Sequence, residues 1–365
     1  MKIGILGTRG IPNCYGGFEQ FAEVLSSALA QRGHQVSVYN SHPHPYREDT
    51  WMGVNIIHCN DWENKLGTAG QFIYDLNCIN DARKREFDVL LHLGYTSDSV
   101  WHRRWPGSAI NIINMDGLEW QRSKYTKLSQ WFLQKAEAWA AKYADHLVSD
   151  SIGIRKYLLG KYNQDSTFIP YGAEVFNNAD ESHLATFNLQ PWQYYLTVSR
   201  LEPENNIQTI IDGYLLAETK DPLVIVGSVT TRFGKKLKKK YEAQKINFVG
   251  GIYDTSMLNN LRYFSKIYFH GHSAGGTNPS LLEAMACGCR IASHDNIFNR
   301  AVLGNEADYF SDAKKVSDIL NEAPEKKSVE QRRQVNLEKI RSVYNWKKII
   351  QDYEQLMLEL LQKRN

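Results

Sequence analysis

Five short segments in the first half of the chain, 2–7, 36–39, 54–58, 89–93 and 109–114, are mostly apolar, the pattern of strands buried on both faces of a parallel sheet. Between them, segments 17–32, 69–85 and 124–143 carry apolar residues at helical spacing, and Gly33 supplies a stop. The alternation predicts a doubly wound α/β unit. A second cycle begins after Ile169-Pro170-Tyr171-Gly172, with strands at 194–198, 223–226, 247–249, 267–269 and 290–292 and helices at 206–216, 232–243, 255–264 and 279–286. From Ser328 onward the pattern is helical, broken at Tyr344-Asn345-Trp346 before a last helix at about 346–362. Two Rossmann-like domains follow, 1–170 and 171–345. The boundary is set where Pro170 and Gly172 interrupt the periodicity and the next stretch, AEVFNNADES, is polar.

The 365 residues agree with that division, because a single core stops growing near ~250–300 residues. With 42% hydrophobic and 23% charged residues, disorder is excluded as the dominant state. No apolar run reaches the ~18–20 residues of a membrane span. The start, MKIGILGTRGIP, turns to Gly, Arg and Pro before a signal-peptide core forms, so the expected location is cytoplasmic. Five cysteines without a CxxC pair predict reduced thiols, and a net charge of +3 gives no reason to expect generic nucleic-acid binding.

Candidate chemistry lies in the loops that follow strands. The first, GTRGIPNCYGGFE, holds Gly7, Gly10, Gly16 and Gly17 ahead of a helix, where free amides and the guanidinium of Arg9 suit an anion. The same glycines would also serve a tight turn alone. The loop is not GxGxxG, and Asn40 and Ser41 stand where a dinucleotide site needs an acid, which argues against an oxidoreductase. In the second domain, Ser199 and Arg200 follow a strand at the carboxyl edge of the sheet, a position suited to a pyrophosphate. Downstream, HGHSAGGTNPSLLEAM runs from strand to helix, placing Gly275, Gly276, Thr277 and Asn278 beside the helix start and Glu283 one turn inside. A carboxylate on so apolar a helix needs polar partners. Vicinal ribose hydroxyls would supply them, and so would a structural ion pair.

Taken in order, PNCYGGFE, IPYGAE, SRLEPENN and SLLEAMACG resemble the motifs of the retaining glycosyltransferases of family 4, over nearly the full length. The resemblance implies a GT-B fold: two Rossmann-like domains facing a cleft, with the C-terminal helix crossing back to the first domain. It also implies a nucleotide-sugar donor and no metal or other cofactor. By similarity, Arg200 would bind the donor pyrophosphate, Glu283 the nucleotide ribose, and Gly16 and Gly17 would line the cleft, with Arg9, Ser199, His272 and residues 275–278 around the donor. Two positions depart from the family: Asn205 replaces its lysine and Gly275 its first motif glutamate. The variant GGTNPSLLEAM, with GTRGIP and NMDGLEW, is similar to a subgroup that includes bacterial rhamnosyltransferases, so the expected donor is dTDP-rhamnose and the acceptor a lipid-linked saccharide of surface polysaccharide. Rhamnose lacks a 6-hydroxyl and needs fewer polar ligands. Asp116 and Glu119 are the expected cleft carboxylates, although either would also serve as a helix cap or ion-pair partner. The alternative readings are a transferase using another nucleotide sugar such as UDP-glucose, a GT-B nucleotide-sugar epimerase and a non-catalytic GT-B scaffold.

Three other features draw attention. His42 with His44 and His270 with His272 have metal-like spacing without completing ligands, and the chain has no Asp-x-Asp. The segment Trp120–Tyr143 mixes basic and aromatic residues, which suits peripheral contact with anionic membrane or a half-buried helix with a solvated basic face. Five lysines within 235–240 read as an exposed helix face.

Overall fold

The structure, a computed structural model, describes residues 1–122, 125–244 and 246–364. The chain divides into two compact units: residues 1–121, 125–171 and 346–365 form the first, and residues 122–124 and 172–345 the second.

The first unit runs β1 (Lys2–Leu6), α1 (Gly17–Gln31), β2 (Gln35–Ser41), β3 (Thr50–Trp51), β4 (Val54–Cys59), α2 (Glu63–Leu66), α3 (Ala69–Ala82), β5 (Val89–Leu93), β6 (Ile110–Asn114), α4 (Lys127–Tyr143), β7 (His146–Ser149), α5 (Ile152–Tyr162) and β8 (Thr167–Phe168). Its eight strands take the order β3-β4-β2-β1-β5-β6-β7-β8. All pairs are parallel except the short β3, which runs antiparallel to β4.

The second unit contains β9 (Tyr195–Val198), α6 (Ile207–Leu216), β10 (Leu223–Val226), α7 (Arg232–Lys240), β11 (Ile246–Gly250), α8 (Thr255–Tyr263), β12 (Ile267–His270), α9 (Pro279–Ala286), β13 (Ile291–His294), α10 (Ile297–Leu303), β14 (Asp308–Phe310), α11 (Ala313–Asn321) and α12 (Lys326–Ser342). Its six strands are all parallel, in the order β11-β10-β9-β12-β13-β14. Both sheets are therefore doubly wound, as the alternation predicts. In each, the strand order reverses beside the first strand of the unit, between β1 and β5 and between β9 and β12. Ligands of open α/β sheets bind at such switch points, beyond the carboxyl ends of the strands.

Strands buried on both faces explain the continuous apolar runs: Ile3, Ile5, Val36, Val38, Leu90, Ile112, Leu196 and Val224 have no exposed surface. The second core gathers Tyr195, Leu201, Ile207, Ile210, Leu223, Phe269, Phe310 and Val316. Several elements differ from expectation. The expected helix at 124–143 starts at Lys127, where the Thr126 hydroxyl caps it by accepting from Ser129 N, and Lys124 lies outside the described residues. The expected helix 232–243 ends at Lys240.

The final helix, α13 (Trp346–Arg364), belongs to the first unit. It buries Ile349, Ile350, Tyr353, Leu356 and Met357. Phe21 of α1 lies edge-on to Tyr353 with ring centroids 5.3 Å apart, Asn114 donates to the Tyr353 hydroxyl at 3.1 Å, and Glu354 pairs with His34 at 2.8 Å and with Arg32.

Candidate donor site

The switch point of the second sheet brings together the segment after β9 and the segment after β12. Beyond β9 the chain turns through a 3-10 turn, Pro203–Asn205, into α6. Asn205 is buried and donates its amide to the Arg200 carbonyl at 2.6 Å, and Asn206 donates to the Gly271 carbonyl at 2.8 Å. The two segments touch so closely that a Cβ on Gly271 would lie 2.0 Å from the Asn205 carbonyl oxygen, so only glycine fits there. Asn205, one of the residues expected around the donor, thereby shapes the loop that carries Arg200. The Arg200 side chain is exposed at the carboxyl edge, and the Ser199 hydroxyl is buried with no hydrogen-bond partner among the described residues.

The segment after β12 is held from below. Asn296 and Asn299 each donate to the His272 carbonyl at 3.0 Å, and the Ser273 hydroxyl donates to the Glu204 carbonyl at 2.8 Å. The His272 ring stacks on the fully buried His270, with centroids 4.5 Å apart. Burial, then the charges of Arg200 and Arg122, push the His272 pKa down to about 3, so its ring is neutral at physiological pH. His270 is driven well down, first by burial and then by His272. Gly275 has φ +114° and Thr277 is buried. Asn278 caps α9 by accepting from Ser280 N at 2.9 Å, with Pro279 in the first turn.

Glu283 has a partner that the sequence reading missed. Arg262, at the end of α8, is 2% exposed in its side chain and donates Nη2 to Glu283 Oε2 at 2.5 Å. Burial works to lower the Arg262 pKa, and the Glu283 carboxylate outweighs it, raising the value. The same Nη2 reaches the Ser280 hydroxyl at 3.4 Å, which contacts the Tyr268 hydroxyl at 2.7 Å. The ion-pair alternative therefore holds for Glu283, whether or not a ribose also engages it.

In the first unit, Arg9, expected as an anion ligand, has a carboxylate partner within its own unit. Its guanidinium forms a two-point pair with Glu63, Nε to Oε2 at 3.0 Å and Nη2 to Oε1 at 2.7 Å, and lies over the Tyr15 ring at 3.9 Å. Its charge is already matched. The Arg9 backbone N–H donates to the buried Glu19 at 2.9 Å, just beyond Gly16, the cap position of α1, and Gly17, its first residue. Gly7 has φ +81°, and a Cβ there would lie 2.3 Å from the Leu93 carbonyl oxygen.

Asp116, at φ 43°, is half-buried, and its N–H donates to Asn114 Oδ1 at 3.0 Å. The buried Tyr95 hydroxyl donates to the Gly117 carbonyl at 3.2 Å and accepts from Glu119 N at 3.3 Å. Trp120 then donates to Glu137 at 3.1 Å. Glu137 is 1% exposed and also accepts from Tyr157 at 2.8 Å, Lys161 at 2.9 Å and Tyr162 at 2.6 Å. The loop carrying Asp116 and Glu119 is thus pinned at both ends. Several aromatic residues of Trp120–Tyr143 are engaged within the unit. Trp120 is tied to Glu137, Phe132 packs on Phe72 and Tyr143 stacks on His102 at 4.0 Å. The exposed face of α4 keeps Lys127, Leu128, Trp131, Lys135 and Lys142.

Among the described residues, no group of three or more His, Cys, Asp or Glu side chains is placed to hold a metal ion, and no helix is long and apolar enough to cross a membrane.

Comparison with known proteins agrees with this architecture. Residues 188–335 match the family described as "Glycosyl transferases group 1", and residues 106–174 match a "Domain of unknown function (DUF1972)". No curated protein matches the sequence. The structure is similar to the sucrose-phosphate synthase (tll1590) from Thermosynechococcus elongatus, at 15% identity and a TM-score of 0.81 over 99% of both chains. It is also similar to Anabaena Alr3699/HepE in complex with UDP and glucose, at 13% identity and 0.76 over 98% of this chain and 100% of that one. An α,α-trehalose-phosphate synthase (UDP-forming) from Burkholderia vietnamiensis matches at 11% identity and 0.72, over 98% and 100% of the two chains. Two parallel-sheet Rossmann-like units with these neighbours define the GT-B fold. The chain therefore has the GT-B fold, and residues 188–335 of its second unit match the glycosyl transferases group 1 family.

Proposed function

We propose that the protein transfers a sugar from a nucleoside diphosphate donor, with L-rhamnose from dTDP-rhamnose as the best reading, to a lipid-linked saccharide in bacterial surface polysaccharide synthesis. The carrying observation is the convergence of exposed Arg200, the 271–278 segment and Glu283 at the switch point of the second sheet, inside the segment matched to glycosyl transferases group 1. In this reading Arg200 and the amides of Gly276–Asn278 stabilise charge growing on the leaving pyrophosphate. The sugar keeps its anomeric configuration because the acceptor hydroxyl attacks from the leaving-group face, with a donor phosphate oxygen taking its proton. Asp116 and Glu119 are the carboxylates offered by the first unit, and no metal takes part. The reading places the protein in the cytoplasm, at the inner face of the membrane, with the exposed Lys127, Trp131 and Lys135 of α4 toward anionic lipid.

The test is to incubate the protein with each nucleotide sugar and a lipid-pyrophosphate acceptor and to identify the product by mass. Conversion of donor sugar without acceptor would indicate an epimerase, and nucleotide binding without any turnover a scaffold. UDP is the second candidate nucleotide, because it occupies the HepE structure named above. Thermal shift separates the two: at equal concentration dTDP is expected to stabilise more than UDP or GDP, since the gain follows RT ln(1 + [L]/Kd). A larger shift with GDP or UDP removes the rhamnose reading. Arg200→Ala is expected to weaken binding of the nucleoside diphosphate by about 10–100-fold while leaving the nucleoside unaffected, because a charge-assisted contact to the pyrophosphate is removed. Equal losses in calorimetry would take Arg200 away from the phosphates.

A further inference from the structure

Helix α7, Arg-Phe-Gly-Lys-Lys-Leu-Lys-Lys-Lys, has six cations and no acid in nine residues. Its inner side is fixed: Gly234 and Leu237 are buried, the Thr231 hydroxyl caps its start by accepting from Gly234 N, and Leu237 belongs to the core of the second unit. Arg232 and all five lysines are consequently exposed. Lys240 is matched locally, lying 3.7 Å from Asp212 and donating to the Tyr241 hydroxyl at 2.7 Å. Among the described residues no carboxylate lies within ion-pair distance of Lys235, Lys236, Lys238 or Lys239. Lys235, Lys238 and Lys239, with Val229 and Glu242, border an open groove of about 200 Å³.

This arrangement disfavours the helix in isolation. Arg232–Lys235, Arg232–Lys236, Lys235–Lys238, Lys235–Lys239 and Lys236–Lys239 are like-charged neighbours one turn apart, each repulsive. Cations in the last turn do favour the helix dipole, but that benefit is confined to the terminal turn and does not reach Arg232, Lys235 or Lys236. A polyanionic surface would convert the repulsion into attraction. The helix joins β10 to the edge strand β11, so it lies at the margin of the sheet.

We propose that the lysine face of α7 is a docking surface for an anionic lipid bilayer. The composition selects lipid over other polyanions. Protein interfaces favour arginine and aromatic side chains and are depleted in lysine. Binding of single-stranded nucleic acid uses aromatic stacking platforms, and this face presents lysine without an exposed aromatic side chain. Lysines act as point charges toward a diffuse layer of headgroups, each contributing within a Debye length of the surface. The contact is electrostatic and non-inserting, and it holds whichever sugar or nucleotide the protein uses.

The test is flotation of the full chain with phosphatidylcholine vesicles, with and without phosphatidylglycerol. Binding is expected only with phosphatidylglycerol and is expected to disappear at high salt. Each lysine-to-glutamine change among Lys235, Lys236, Lys238 and Lys239 is expected to weaken partitioning about five-fold, the equivalent of about 1 kcal/mol each. The quadruple variant should melt no lower than the parent, because repulsion has been removed, which separates lost docking from lost folding. Lys127→Gln with Lys135→Gln is the parallel variant on α4. If that pair abolishes flotation and the α7 quadruple does not, the membrane contact lies on α4 and the α7 proposal is overturned. Flotation with neutral vesicles that is indifferent to the α7 lysines overturns it. Tighter binding to a DNA duplex than to vesicles, lost in the same quadruple variant, reassigns the face to nucleic acid and overturns it too.

Discussion

Replacing Glu283 with glutamine is expected to lower the stability of the second unit by about 3 kcal/mol and, by a separate route, to weaken nucleotide binding. The stability loss comes from Arg262, whose buried guanidinium would lose the negative charge 2.5 Å away. Breaking a buried pair from one side costs about 3–5 kcal/mol, because the remaining ion keeps its desolvation penalty without compensation. Glutamine still offers an amide oxygen to Arg262, and the Glu283 side chain is 25% exposed, so the lower end of that range applies. The melting transition of the unit should fall by roughly 6–12 °C. Affinity should fall because a carboxylate that accepts from ribose hydroxyls makes charge-assisted hydrogen bonds worth about 1.5–3 kcal/mol, or about 10–150-fold in Kd. The double variant Arg262→Met with Glu283→Met separates the two effects. Removing both charges should recover most of the melting temperature while binding stays weak. A single glutamine variant that melts with the parent would show that the pair does not support the fold, and unchanged calorimetric affinity for dTDP and UDP would remove Glu283 from the donor site.

Arg262 marks the limit of what periodicity reveals. The buried parallel strands were legible because both of their faces are covered and their sequences are therefore apolar at nearly every position, as in β5, β9 and β10. The strand-to-helix loops were legible because glycine and proline mark them, and α9 falls where Pro279 and the capping Asn278 predict. β7 is half polar, with His146 and Ser149 in four residues, β14 has only three residues, and α5 contains Gly153 and Gly160 and has little one-sided patterning. Charge pairing was the least visible. Arg9 meets Glu63 across 54 residues and Arg262 meets Glu283 across 21, and no local pattern states which cation finds which acid. The sequence offered Arg9 to an anion without disclosing that Glu63 also pairs with it. The same holds for Glu137, whose four donors are Trp120 and three residues of α5, Tyr157, Lys161 and Tyr162.

The two units are expected to respond to pH in opposite directions between about pH 4 and 7. In the first unit, Asp75 is buried on α3, where burial and then the nearby Asp98 push its carboxyl up to about 7, against the partial offset of the Ser97 hydroxyl and His92. Its folded value lies above the unfolded ~3.9, so the folded state holds the proton more tightly. The stability it contributes is present below pH ~4 and is lost as pH rises toward 7, by at most about 4 kcal/mol at 1.36 kcal/mol per pH unit. In the second unit, His272 has a folded value of about 3, below the unfolded ~6.5. Its contribution is complete above ~6.5 and is lost as pH falls, because the unfolded chain takes up the proton that the ring beside Arg200 and His270 refuses. Hydrogen exchange corrected for intrinsic rates should therefore show protection of α3 and β5 falling from pH 4.5 to 7 while protection of β12 and α9 rises. Asp75→Asn should flatten the first trend and leave the second, since the amide oxygen still accepts from Ser97 without a titrating proton. His272→Gln should do the reverse. If protection in the two units changes in parallel and neither variant alters its own unit, Asp75 and His272 do not set the pH response, and groups nearer the surface do.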